Sequence, residues 1–168
     1  MSKNILTQSL QEIEFLRDMD PEHLEKVANI AHIRDFDESD VVFRQGQAAD
    51  FLYLVMFGNV SVEVTEPGRG HKEIFTIGPG EIVGWSSLVD QSCYSTWART
   101  PESARLVQLN VHDLLKICDR DPEFGYDLMR RTVLALAKRL KKTRQQLVEA
   151  CKLVPELEGW NIAATTVH

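Results

Sequence analysis

Turn formers interrupt residues 33–110 every few positions, at Gly46, Gly58-Asn59, Pro67-Gly68, Gly70, Gly78-Pro79-Gly80 and Pro101. The runs left between them are short: 41–43, 51–56, 60–65, 73–77 and 104–109. They are rich in Val, Ile, Phe and Tyr, the residues that suit a pleated, half-buried surface. Val60, Val62 and Val64 alternate with Ser61, Glu63 and Thr65, as a strand with one buried face requires. Many short strands at near-regular spacing predict an all-β sandwich, roll or barrel.

Helices flank this zone on both sides. Leu10, Ile13 and Leu16 mark an early helical stretch. Asp20-Pro21 is an N-cap followed by proline at the first helical position. Leu24, Val27, Ala28 and Ala31 then recur at helical spacing. After the strands, Asn110 and Asp113 form a variant capping box whose helix is expected to end near Cys118. Asp121-Pro122 repeats the start signal, and only Gly125 in the first turn interrupts the run before Pro155. Some thirty helical residues would extend ~45–50 Å.

That helix carries a seam. Met129, Val133, Leu136, Leu140, Thr143, Leu147, Ala150 and Val154 follow steps of four and three, a heptad register. The seam reaches beyond what a small β domain can cover, which points to a homodimer through Met129, Val133, Leu136, Leu140 and Leu147. A long amphipathic helix packed on its own domain is the other reading. The predicted division is 1–120 for the β domain with its N-terminal helices, 121–154 for the long helix and 155–168 for a tail carrying Trp160.

Composition narrows the function. With 43% hydrophobic and 26% charged residues the chain is globular rather than disordered. A net charge of −6 argues against coating nucleic acid, and the seven bases within 130–144 read as a solvated helix face. No apolar run approaches the ~18–20 residues of a membrane span, and no secretory signal is visible. Cys93, Cys118 and Cys151 lie too far apart for a disulfide framework or a CxxC pair. These features lead us to expect a reduced, cytoplasmic protein.

The most informative stretch follows Gly80. GEIVGWSSLVDQSCYSTWA starts as a strand, turns at Gly84 and opens into a short helical segment at Ser86, Ser87 and Leu88. Free backbone N–H groups after a glycine make an anion site, and Ser86 and Ser87 add hydroxyls. Trp85 and Trp97 offer aromatic faces.

Taken in order, several blocks resemble the cyclic-nucleotide-binding domain of the catabolite activator and FNR superfamily. FLRDMDPEHLEKVANIAHIRDF is similar to its N-terminal helices and first strand. VVFRQGQAADFLYLVMFGNVSV is similar to its first hairpins, GPGEIVGWSSLV to the start of its phosphate-binding cassette, and LNVHDLLKICDRDPEFGYDLMRRTVLALAKRLKKT to its C-terminal helices. The resemblance covers about residues 10–148 and implies a double-stranded β-helix, a jelly-roll-like β-roll, with a long dimerisation helix.

In that family a glycine and adjacent amides meet a phosphate, a following Glu binds the ribose, and an Arg before Ser/Thr-Ala completes the phosphate site. The matching positions here are Gly84, Trp85 for the Glu, and Tyr94 for the Arg, followed by Ser95 and Thr96. An indole has one donor where a carboxylate accepts, and a tyrosine brings one neutral hydroxyl where arginine brings a charged fork. Losing a charge-assisted partner of a buried phosphate costs ~2–3 kcal/mol, on the order of a hundredfold in affinity. Thr143 matches the residue whose hydroxyl reaches the purine from the long helix.

The resemblance thus implies a non-enzymatic sensor. Its ligand, cyclic AMP, cyclic GMP or another small anion, would lie among Gly84, Trp85, Ser86, Ser87, Leu88, Tyr94, Ser95, Thr96 and Thr143. Two other readings remain. One is a ligand-free dimeric interaction protein with Trp85 and Tyr94 filling the pocket. The other is a cupin-like metalloenzyme, for which only His71 and Glu73 share a strand edge, so no metal is expected. Little chain follows the long helix, so no helix-turn-helix and no direct DNA binding are expected; the protein partner is unknown.

Overall fold

The computed structural model describes residues 3–89 and 93–152. The chain divides into two units, residues 1–132 and 133–168. The first opens with α1 (Lys3–Gln11), a 3-10 turn (Glu14–Leu16) and α2 (Pro21–Ile30). Asp20 caps α2 by accepting from the Glu22 N–H. Ala31 continues the helical spacing but begins β1 (Ala31–Phe36), because each residue of β1 finds a partner on the strand formed by residues 104–110. Long-range pairing there outweighs local propensity.

The remaining strands are β2 (Val41–Phe43), β3 (Phe51–Phe57), β4 (Val60–Glu66), β5 (Gly70–Ile77), β6 (Ile82–Val83), β7 (Trp97–Arg99) and β8 (Ala104–Asn110). They build two antiparallel four-stranded sheets, β1-β8-β3-β6 and β2-β7-β4-β5. This is the β-roll that the resemblance implies, one of the three architectures that the strand spacing allows. A single apolar interior, with Val42, Phe43, Tyr53, Val55, Val60, Val62, Val83, Tyr94, Ala98 and Leu106, joins strands of both sheets.

Gly58-Asn59 reads locally as a hairpin turn, yet β3 and β4 lie in different sheets. Gly58 carries the chain across at φ 75°, and a Cβ there would stand 2.5 Å from the Ser103 carbonyl oxygen. The turn is therefore both left-handed and in contact with backbone.

After β8, Asn110 accepts from the Asp113 N–H and starts α3 (Val111–Arg120), one to two residues longer than the expected stop near Cys118. Asp121 accepts from the Phe124 N–H at the start of α4 (Pro122–Lys152). The same carboxylate accepts from Lys26 of α2 and lies 3.6 Å from His23. Arg131 pairs with Asp127 and donates to the carbonyls of Phe15 and Arg17. Phe124 and Leu128 are fully buried, so the first turns of α4 are part of the first unit's packing.

In the second unit the described residues, 133–152, are helical. Val133, Leu140 and Leu147 are 63%, 53% and 57% exposed, and Thr143 and Ala150 are exposed as well. Val154 and the tail with Trp160 lie outside the described residues. No helix among the described residues is long and apolar enough to cross a membrane.

Two outcomes test this account. Gly58→Ala adds a strained φ and a backbone clash, so denaturant melts are expected to show a loss of about 2 kcal/mol or more. The Lys26 hydrogen bond first, and then the Phe124 N–H, hold the Asp121 carboxyl below the usual carboxylate range. Its contribution is full above the unfolded value and fades as pH falls through the lower folded value. Asp121→Asn, which keeps a capping oxygen, is expected to melt earlier than the native chain at neutral pH, with the gap closing below about pH 4.

Candidate functional site

The site is built where β6 ends. Gly84 takes φ 77°, ψ 24°, and the chain enters a 3-10 turn (Trp85–Leu88). Ser87 fixes this corner twice over, its N–H and its Oγ both donating to the Gly84 carbonyl at 3.1 and 2.7 Å. Ser87 and Leu88 are buried, whereas Trp85 and Ser86 are half-buried. The second half of the site is residues 93–96. Cys93 forms a bridge with Ala48, and Cys93 and Ser95 are exposed, while Thr96 is half-buried.

Tyr94 alone in that segment turns fully inward and is 2% exposed. Its ring stacks on Phe43 with centroids 3.8 Å apart and planes 12° from parallel. Its hydroxyl donates to the Phe51 carbonyl at 2.6 Å and accepts from the Phe51 N–H at 3.2 Å. Burial, with neighbouring Tyr53 adding to it, pushes the phenol well above its ordinary range, so the hydroxyl keeps the proton it donates. The backbone of Tyr94 is tied to Gln47 and Gly46.

The structure brings Gly84 and Tyr94 into contact. A Cβ on Gly84 would lie 3.2 Å from the Tyr94 ring, 3.3 Å from the Phe51 carbonyl and 3.4 Å from the Phe43 ring. Phe43 and Phe51 are the residues that sequence reasoning missed. Both sit in runs read only as core strands, and nothing local shows that one stacks on Tyr94 while the other binds its hydroxyl through backbone.

Trp97 and Arg99 belong to the opposite side of β7 from Ala98, which is fully buried in the roll's interior. Arg99 pairs with Glu63 and lies 5.5 Å over the Trp97 ring, with Arg44 at 5.9 Å and the His71 ring at 4.5 Å. Trp97 thus spends its faces on these groups. No Arg, Lys or His occurs in sequence between Gly84 and Trp97. Glu73 accepts from Ser61 and Thr76, which hold its carboxyl below the usual range. Among the described residues no three His, Cys, Asp or Glu side chains gather as a metal site.

Comparison with known proteins agrees with the geometry. The family model "Cyclic nucleotide-binding domain" matches residues 33–121. The cyclic AMP receptor protein of Thermus thermophilus is 29% identical over 127 residues, covering 76% of this chain and 57% of its own length. The CRP-like cAMP-activated global transcriptional regulator of Mycobacterium tuberculosis is 32% identical over 118 residues, 68% of this chain and 50% of that one. The chain therefore spans about half the length of the curated relatives it matches. A crystal structure of a cyclic nucleotide-binding domain from Methylobacillus flagellatus shares the fold, with a TM-score of 0.74 at 18% identity over 88% of this chain and 83% of that one.

A methyl group at position 84 meets both a strained φ and the Tyr94 ring. Gly84→Ala is expected to lower stability by about 1–3 kcal/mol in urea titrations, a loss that a merely exposed glycine would not show.

Proposed function

Because the chain belongs to the cyclic nucleotide-binding domain family, we propose that it is a non-enzymatic regulatory module. In this reading the corner at Gly84 receives a small ligand and the seam of α4 joins two copies. The observation that carries it is the family match over residues 33–121, within which the left-handed Gly84 corner falls.

Cyclic AMP or cyclic GMP is the first ligand class to consider, since the relatives' names specify cyclic AMP for those proteins. Another small anion is the second. Either would meet backbone amides of residues 84–86 and the hydroxyls of Ser86, Ser95 and Thr96, with Trp85 alongside. Thr143 is carried as a further ligand residue on the strength of its match to the family alone.

The dimer reading rests on exposed apolar side chains. Val133, Leu140 and Leu147 recur at heptad positions, with Met129 and Leu136 half-buried on the same seam. A helix leaves such a stripe in water only at a cost that a partner helix removes. Bound ligand would then act by favouring one arrangement of the two copies over another.

A second reading, a dimeric interaction module that takes no ligand, is favoured by Tyr94. Its ring already fills the space over Gly84, and its hydroxyl has both its partners in Phe51.

Calorimetric titration of ligand-stripped protein with cyclic AMP and cyclic GMP separates the two. Micromolar binding supports the sensor reading; no heat and no thermal shift at millimolar nucleotide supports the second. Sedimentation equilibrium is expected to show a dimer that Leu140→Glu together with Leu147→Glu converts to monomer. A monomeric native chain would remove the dimer from both readings.

A further inference from the structure

Tyr94 is held from four directions. Phe43 lies against its ring, Phe51 binds its hydroxyl with both backbone polar groups, and Gln47 and Gly46 bond its own N–H and carbonyl. Its neighbours Cys93 and Ser95 are exposed. The inward turn therefore belongs to this side chain and not to the segment. Its ring also lies 3.2 Å from where a side chain on Gly84 would begin, so it packs against the inner side of that corner.

We propose that Tyr94 is a latch on the ligand site. Its side chain fastens residues 93–96 to β3 and shields Gly84, and a ligand reaches the corner only after the ring has left Phe43 and the hydroxyl has left Phe51. Tyr94 is then the residue that sets affinity. The inference rests on the ligand-binding reading above. A site that is open only part of the time binds more weakly in proportion to its open fraction.

The chemistry of the opened site also follows. Residues 85–96 contain no Arg, Lys or His, so recognition falls to backbone amides and to the hydroxyls of Ser86, Ser95 and Thr96. The ligand class is one rich in hydrogen-bond acceptors, bound without a fixed cation.

The test uses Tyr94→Phe, which keeps the ring and removes both hydroxyl bonds. Two ordinary hydrogen bonds correspond to about tenfold or more in the opening equilibrium. Two measurements are run on native and variant chains. Titration with cyclic AMP and with cyclic GMP is expected to show about tenfold tighter binding by the variant. Hydrogen exchange at the amides of Gly46 and Tyr94, which donate to the Tyr94 and Gln47 carbonyls in the closed form, is expected to be about tenfold faster if opening releases residues 93–96.

Unchanged exchange overturns the latch, and so does weaker binding, which would make the hydroxyl a ligand contact instead. Faster exchange with no nucleotide bound by either chain supports the latch and defeats the cyclic-nucleotide reading, so the two fail separately. Phe43→Leu, which thins the stack and leaves the hydroxyl, serves as the second variant and is expected to move exchange in the same direction.

Discussion

Two four-stranded sheets share one apolar interior, and Val55, Val60, Val83, Ala98 and Leu106 reach it with no exposure at all. That shared burial is the constraint from which the rest follows. Each strand must turn alternate residues inward, so the outward set is free to be polar, as Ser61, Glu63, Glu73 and Arg99 are. A site for a ligand cannot lie at the centre of such a packed layer without displacing it. The proposed site is instead the corner where β6 gives way to the turn at Gly84, and there one aromatic side chain of the same interior, Tyr94, lies against it.

The N-terminal helices serve the same interior from outside. Lys26 and His23 hold the Asp121 carboxylate, and Arg131 reaches the carbonyls of Phe15 and Arg17. The Phe15 N–H in turn donates to the Gly80 carbonyl, and Gly80 precedes β6 and the Gly84 corner. The start of α4 and the approach to the site are thus bonded to one 3-10 turn. A ligand-driven shift at one of these places has a covalent and hydrogen-bonded route to the other.

Sequence alone made the roll and its flanking helices legible, because alternation in β4 and capping at Asp20 and Asn110 are local signals with local causes. It did not reveal that the turn at Gly58-Asn59 passes between sheets. The partners of β3 are β6 and, some fifty positions away, β8, and no local pattern encodes that choice. Nor did it reveal β7, since Trp97–Arg99 is three residues with one apolar position facing in. At the site, Gly84 and the serines were readable from spacing. The direction of Tyr94 was not, because a single residue in a turn-rich segment has no period to betray its face, and Phe43 and Phe51 act through a ring face and a backbone. Arg99 shows the converse, an available cation committed to Glu63 and Trp97 on the far side of its strand.

The open rim of the second sheet has a consequence for how the protein behaves in a crowded solution. β5 is eight residues long and, among the described residues, forms strand pairs only with β4, so its other side is an open sheet edge. Its exposed residues are Gly70, His71, Lys72, Glu73, Ile74 and Thr76, with Ile74 the lone exposed aliphatic. A second chain adding there would crowd the Lys72 ammonium and the Glu73 carboxylate. The same strand that leaves the roll incomplete thus repels growth along it. Association by sheet extension, which would be open-ended, is disfavoured at this edge.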